Sequence, residues 1–499
     1  MQTNTRVGLG VLGVAAILGI LGDMLLRVDS WGLNIGVWIG ALVAALLLLA
    51  WRQQVCLLGE GRWLLLPALL FAVLFAWRDS ATLKALDGLA LLIALALAAV
   101  CGRVGSLRIV GVMTYAYHLL IAGLNVAFGP ILLLLSDIAW KEIPGQGWRR
   151  RAFAIGRGLL LALPLLVVFG ALFASADPVF DYYLSAVFRF DFDSLGTHLF
   201  IILFCAWGVA GWMRGMLLRE EPAGWDRADR QFVSLGGVEI VIVLGLLDLL
   251  FLTFVLLQLR MLFGGAALVR ATTDLTFAEY ARNGFFELVA ASALALPLLL
   301  LAHWLLRKER AVEERLFRLL AGGQVLLLFV IMASAVQRMR LYQIAYGLTE
   351  LRFYTMAFMG WLAVLFLLFV ATVLRGRRER FAFGALLSGF LAVGVLHALN
   401  PDARIIRANV ANMRAGHVFD VDYNTSLSAD AIPALVSRLS DLPLSERRST
   451  AGYLLKEATS LSQSRDWRCW SLARSQGLQA IQKDRVALTQ DLTPIDLTP

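Results

Sequence analysis

The chain is divided repeatedly into apolar runs of about twenty residues by short, charged connectors. Wound as α-helix at ~1.5 Å per residue, a run of that length matches the ~30 Å hydrocarbon core of a bilayer. A spanning strand needs only about half as many residues, so the run length selects helices over a barrel. Composition agrees: 59% of the 499 residues are hydrophobic, 16% are charged, and the mean hydropathy is +0.74. Soluble globular domains do not reach these values.

The sequence therefore predicts an all-α polytopic membrane protein of about twelve transmembrane helices with a small C-terminal helical soluble module. The spans fall at 7–26, 31–51, 63–77, 86–101, 109–136, 154–174, 198–217, 236–257, 285–306, 316–335, 354–374 and 381–399. Residues 1–108 form an N-terminal group of helices, 109–399 the main membrane core, and 400–499 the module. The first run has no small-residue cleavage site after it and reads as a retained helix.

The formal charge of +9 is almost all arginine, concentrated in connectors. Membrane insertion explains that bias without any nucleic-acid partner. If the spans alternate, GWRRR (147–151), Arg214, Arg219, RKER (307–310) and RGRRER (375–380) share one side, expected to be cytoplasmic. The connectors around 175–198, 260–284 and 336–354 and the tail fall opposite, on the periplasmic side if this is the bacterial inner membrane.

Chemical motifs are few. No Walker loop, HExxH, GxSxG or paired metal-ligand cysteines occur, so no cofactor or metal is implied. Cys56, Cys101, Cys205 and Cys469 are scattered, without a disulfide pattern. The GxGxxG of Gly8, Gly10 and Gly13 lies inside the first apolar run with no strand before it, and is accidental. Gly32, Gly36 and Gly40 make a small-residue ridge suited to close helix packing or to a dimer face.

Ionisable groups inside apolar runs are more informative, because a charge at mid-bilayer costs at least ~2.5 kcal/mol. Asp248, in LGLLDLLFLTF, stands near the centre of its run. It is either a proton or ion relay or a protonated structural hydrogen-bond donor to His118, His303, Asn125 or Gln324. A second constellation gathers on the tail side: Asp177; Asp274, Glu279, Tyr280 and Arg282; Arg338, Arg340, Tyr346, Glu350 and Arg352; and Asn400 and Asp402. These groups either line one polar cleft or anchor helix ends at the headgroups. In the tail, Ile405, Ile406, Val410 and Met413 recur at helical spacing, as expected of an interfacial helix. Ser428 is placed to cap a helix with Ala431, Ala434, Leu435 and Leu439 on its apolar face.

The segments FASADPVF, TFAEYARNGFFELVA, RLYQIAYGLTELRFY, NPDARIIRANVAN, LSADAIPAL and RDWRCWSLAR occur in this order between about 109 and 480. In that order the chain resembles uncharacterised bacterial polytopic inner-membrane proteins of the DUF4173/DUF4153 type. The resemblance implies architecture and a bacterial membrane location, and carries over no catalytic residue. Three functions stay open: transport or lipid and glycolipid handling, with membrane lipids and an anionic lipid or glycan as ligands; a membrane-embedded enzyme acting on a lipid-linked substrate; or a sensor or scaffold binding a periplasmic protein through its tail.

Overall fold

The structure is a computed structural model that describes residues 3–28, 30–57, 59–101, 108, 111–140, scattered positions between 155 and 180, 192–218, 236–273, 285–306, 311–463 and 466–492. Among these no β-sheet forms; the chain is an all-α polytopic membrane protein. Among the described residues, ten helices are long and apolar enough to span a bilayer. They belong to α1 (Thr3–Leu26), α2 (Leu33–Arg52), α4 (Ala81–Cys101), α5 (Val112–Leu132, continued by a π turn to Asp137), α6 (Phe192–Leu217), α7 (Gly237–Thr273), α8 (Phe285–Leu305), α9 (Ala311–Tyr346), α10 (Glu350–Thr372) and α11 (Phe381–Leu399). Their outer faces expose Ile17, Leu48, Leu92, Leu246, Leu294, Leu326 and Leu391, the surface a bilayer would cover. The expected span 154–174 lies mostly outside the described residues.

Between α2 and α4 the chain passes through a 3-10 turn (Glu60–Leu64) and a ten-residue helix, α3 (Leu65–Leu74). Ala68, Phe71 and Ala72 of α3 are fully buried against neighbouring helices, while Leu66, Leu70 and Val73 form an exposed apolar stripe on its other face. The apolar side chains form two separate cores at membrane level. One joins α1–α6, with Leu46, Phe71, Leu97 and Met213; the other joins α7–α10, with Phe317, Leu328, Phe366 and Phe369. Helix α11 touches both, placing Phe381 in the second and Ala382 in the first.

Contacts fix which helix ends lie together. Gly129 and Gly211 bring α5 against α6 so closely that a Cβ on Gly211 would sit 2.6 Å from the Val126 carbonyl. Arg108, just before α5, donates its backbone N–H to Glu60, and His118 Nδ1 lies 3.7 Å from Cys101 Sγ at the end of α4. After α5, Asp137 pairs with Arg214 near the end of α6 at 2.6 Å, and Ala139 donates to Thr5 at the start of α1. Both ends of α5 thus sit at one end of the bundle. Although its length and composition would let it span, α5 lies across the bundle, its helix continuing through Pro130.

Alternation of all twelve predicted spans would put residues 78–80 on the side opposite the tail. The structure places them against the tail, because α5 does not reverse the direction of the chain. With that correction Arg52, Arg62, Arg108, Arg214, Arg318 and Arg375–Arg380 share the end opposite the module.

The module is a cluster of short helices: α12 (Pro401–Arg414), α13 (Val421–Thr425), α14 (Ile432–Arg438), α15 (Leu444–Gln463), α16 (Leu472–Lys483) and α17 (Arg485–Leu492). Ser428 accepts from Asp430 N at the start of a 3-10 turn leading into α14. Ile405, Ile406 and Val410 of α12 lie with Ala431, Leu435 and Leu454 in a third apolar core. The apolar face of α12 is thereby buried inside the module, where the sequence had suggested a helix lying along the headgroups.

Candidate functional site

The module seats on the membrane bundle through buried polar groups. In the turn FAWRDS (75–80) after α3, the carbonyls of Ala76 and Trp77 find their donors at the start of α16: Leu472 N to Ala76 O at 2.7 Å and Ala473 N to Trp77 O at 3.2 Å. Arg78 reaches from the same turn to Asp430 Oδ1 at 3.1 Å and donates from Nε and Nη2 to the His397 carbonyl at 3.0 and 2.6 Å, the end of α11. The Asp430 side chain also accepts from the backbone N–H groups of Asp79 and Ser80. Asp79 pairs with Lys84 at 2.7 Å and with Arg474 of α16 at 3.1 Å. With Arg78 at 11% and Asp430 at 2% exposure, the Arg78–Asp430 pair is out of water. Desolvation offsets much of the attraction in such a pair, but removing one partner strands the other, at a cost of ~3–5 kcal/mol. The pair therefore specifies where the module docks more than it stabilises the docked state.

The stretch VQRMRLYQIAYGLTELRFY (336–354) forms the other half of this seat. α9 ends at Tyr346, and Gly347 turns the chain with φ of +76°. Arg352 lies 4.1 Å over the Tyr342 ring and donates to the carbonyls of Tyr346 and Gly347, which the helix end leaves without partners. From the module, Asn409 brackets Leu348, accepting from its N–H at 2.7 Å and donating to its carbonyl at 3.0 Å. Asn412 donates to Gln343 O and Ile344 O, and Tyr423 Oη accepts from Glu350 N. The concentration of polar and aromatic chemistry in this connector is thus explained by its role as a socket.

Asp402, the second residue of α12, is buried at 1% exposure. Burial, and then the nearby charges of Glu350 and Asp430, raise its carboxyl to about 6, against the opposing pull of hydrogen bonds from Ser428. Beside it a cavity of about 230 Å³ opens between α12, α14 and α16, lined among others by Asn400, Arg407, Asp430, Pro433, Ala473 and Gln476. Arg407 is exposed on this wall and makes no ion pair or hydrogen bond among the described residues.

Of the predicted cleft residues, the structure brings together Glu350, Arg352, Asn400 and Asp402 at this seam. Arg340 and Tyr346 are exposed near the end of α9, and Arg338 is half-buried. Asp177 is exposed, accepting locally from Val179 N. Asp274, Glu279, Tyr280 and Arg282 lie outside the described residues. Asp248 is half-buried on α7 against Gly323 of α9, with Oδ1 lacking a hydrogen-bond partner among the described residues, and the adjacent Gln324 is fully buried. The glycine ridge does not act as one face: Gly32 meets Trp470 of the module, Gly36 meets α3, and Gly40 is open.

Sequence reasoning missed Arg78, Asp79 and Asp430, because strict alternation set 78–80 on the wrong side. It also missed two acid–histidine pairs, the half-buried Asp23–His198 at 2.5 Å and the buried Asp87–His397 at 3.1 Å. Asp87 lies in an apolar run, ALDGLALL, and the logic that singled out Asp248 applies to it equally.

A family model described as a domain of unknown function (DUF4153) matches residues 65–437. The chain belongs to this family. The match begins before the region of resemblance noted in the sequence and ends sooner: it takes in α3, α4, the 336–354 socket, Asp402, Arg407 and Asp430, and stops short of α16. No curated protein and no solved structure matches the chain.

Proposed function

We propose that this is a bacterial inner-membrane protein that handles an anionic lipid or lipid-linked glycan, holding its headgroup in the cavity beside α12. What supports this is the unpaired Arg407 on the wall of a 230 Å³ cavity, two turns from the point where α11 ends and the module begins. At that depth a phosphate-bearing headgroup meets a guanidinium able to donate a forked pair of hydrogen bonds, flanked by the amides of Asn400 and Gln476. Arginine-rich connectors at the opposite end favour a cytoplasmic placement for that end and an extracytoplasmic one for the module.

Native mass spectrometry of the full chain, purified in mild detergent, tests the reading. A retained phospholipid or glycolipid is expected, with Arg407→Ala reducing its occupancy about tenfold, the loss of a charge-assisted contact of ~1.5 kcal/mol or more. Equal retention by the wild type and Arg407→Ala would reject it.

A further inference from the structure

Asp87 and His397 meet where α4 packs on α11, their side chains at 1% and 0% exposure. Nδ1 of His397 lies 3.1 Å from the carbonyl of Val393, one turn back on α11. A carbonyl only accepts, so Nδ1 carries a hydrogen. With Nδ1 occupied, a neutral imidazole turns the lone pair of Nε2 outward, and Nε2 lies 3.1 Å from Asp87 Oδ2. The two are in ion-pair contact without hydrogen-bond alignment, and neither Asp87 oxygen has a hydrogen-bond partner among the described residues. A bare carboxylate here would be an uncompensated buried charge, and one proton held by the pair answers it, either by placing an imidazolium beside the carboxylate or by neutralising the acid itself.

We propose that Asp87 and His397 form a proton-binding site that holds a single proton, and that this proton keeps the end of α11 positioned for docking the module. This inference is independent of the headgroup cavity. The His397 carbonyl takes both Nε and Nη2 of Arg78, whose Nη1 holds Asp430. Movement of His397 is therefore movement of the latch.

Among the described residues, the charged groups facing the pair are few. On α4, Lys84 stands one turn before Asp87 and is engaged by Asp79; at the end of α3, Arg78 faces the His397 carbonyl, with Asp430 of the module beyond it. Trp77 packs its ring 5.8 Å from the imidazole. From α10, Tyr354 reaches Ser80 at 3.3 Å, and Glu350 lies one turn earlier. On α5 and α6, which also pack on α4, His118 and Arg214 lie at the opposite end of the bundle.

The chain has five histidines, so nitrogen resonances of ¹⁵N-histidine-labelled full-length protein in lipid bilayers can be assigned, that of His397 by its loss in His397→Gln. The expected result is a His397 protonated at Nδ1 whose Nε2 resonance reports the neighbouring carboxyl group. Asp87→Asn should move the Nε2 resonance, while Asp87→Glu leaves it near its wild-type position. At pH 8, maleimide labelling of Cys469, buried where the module meets α2, should rise several-fold in Asp87→Asn and not in Asp87→Glu. Continued protection of Cys101 and Cys205 in the same sample shows that the bundle is folded. A hydrogen on Nε2 with none on Nδ1, the same Nε2 resonance with and without the carboxylate, or unchanged Cys469 labelling in a folded Asp87→Asn protein would overturn the proposal.

Discussion

At the scale of single residues, the seam combines several acids with one buried guanidinium, and Asp402 shows the consequence. Its carboxyl is raised to about 6 in the folded chain from an ordinary 3.8. A raised acid binds its proton more tightly when folded, so its contribution to stability is complete below the unfolded value and is lost as pH rises through about 6. The full shift corresponds to at most about 3 kcal/mol. The thermal unfolding midpoint of the protein is therefore expected to be higher at pH 5 than at pH 7.5, with Asp402→Asn shrinking the difference chiefly by stabilising the high-pH state. An undiminished difference in Asp402→Asn would assign the pH dependence to other groups. Asp402 was legible in the sequence as a polar residue at the mouth of the last span. Its neighbour Asp430 was not, because nothing in LSADAIPAL announces a partner 352 positions away in the chain.

At the scale of elements, most helices were legible, because run length and charged breaks are local properties. The limit appeared at α5, whose apolar length satisfies the same rule as a span although its ends meet Glu60, Cys101, Thr5 and Arg214 at one end of the bundle. Which way an apolar helix lies is decided by close contacts such as Gly129 against Gly211, and those join residues far apart in sequence. Gly32 offers a test of the seam at this scale. A Cβ there would fall 2.4 Å from the backbone carbonyl of Trp470, an atom that cannot rotate away. Gly32→Val should displace the 467–470 turn from α2, break the Leu33 N to Trp470 O bond, and make Cys469 reactive to maleimide while Cys205 stays protected. Protection of Cys469 in that variant would show that the turn accommodates the side chain.

At the scale of the whole molecule, one helix lying across the bundle resets the sidedness of everything before it. Cys56, exposed between α2 and α3, is the native reporter of this. Strict alternation of twelve spans sets it on the side of the module; the structure sets it at the arginine-rich end. A membrane-impermeant maleimide should label Cys56 in inverted membrane vesicles and not in intact spheroplasts, and the reverse pattern would restore the alternating topology. The seam also governs how the molecule can be made. Arg78 is inserted early, yet Asp430, which neutralises it, lies 352 residues later. At ~5–20 residues per second, translation leaves Arg78 waiting roughly 20–70 s for its partner. The first bundle must remain in the membrane through that interval with its latch open, so chains that stall or are cut before the module is delivered should be preferred substrates for membrane quality-control proteolysis.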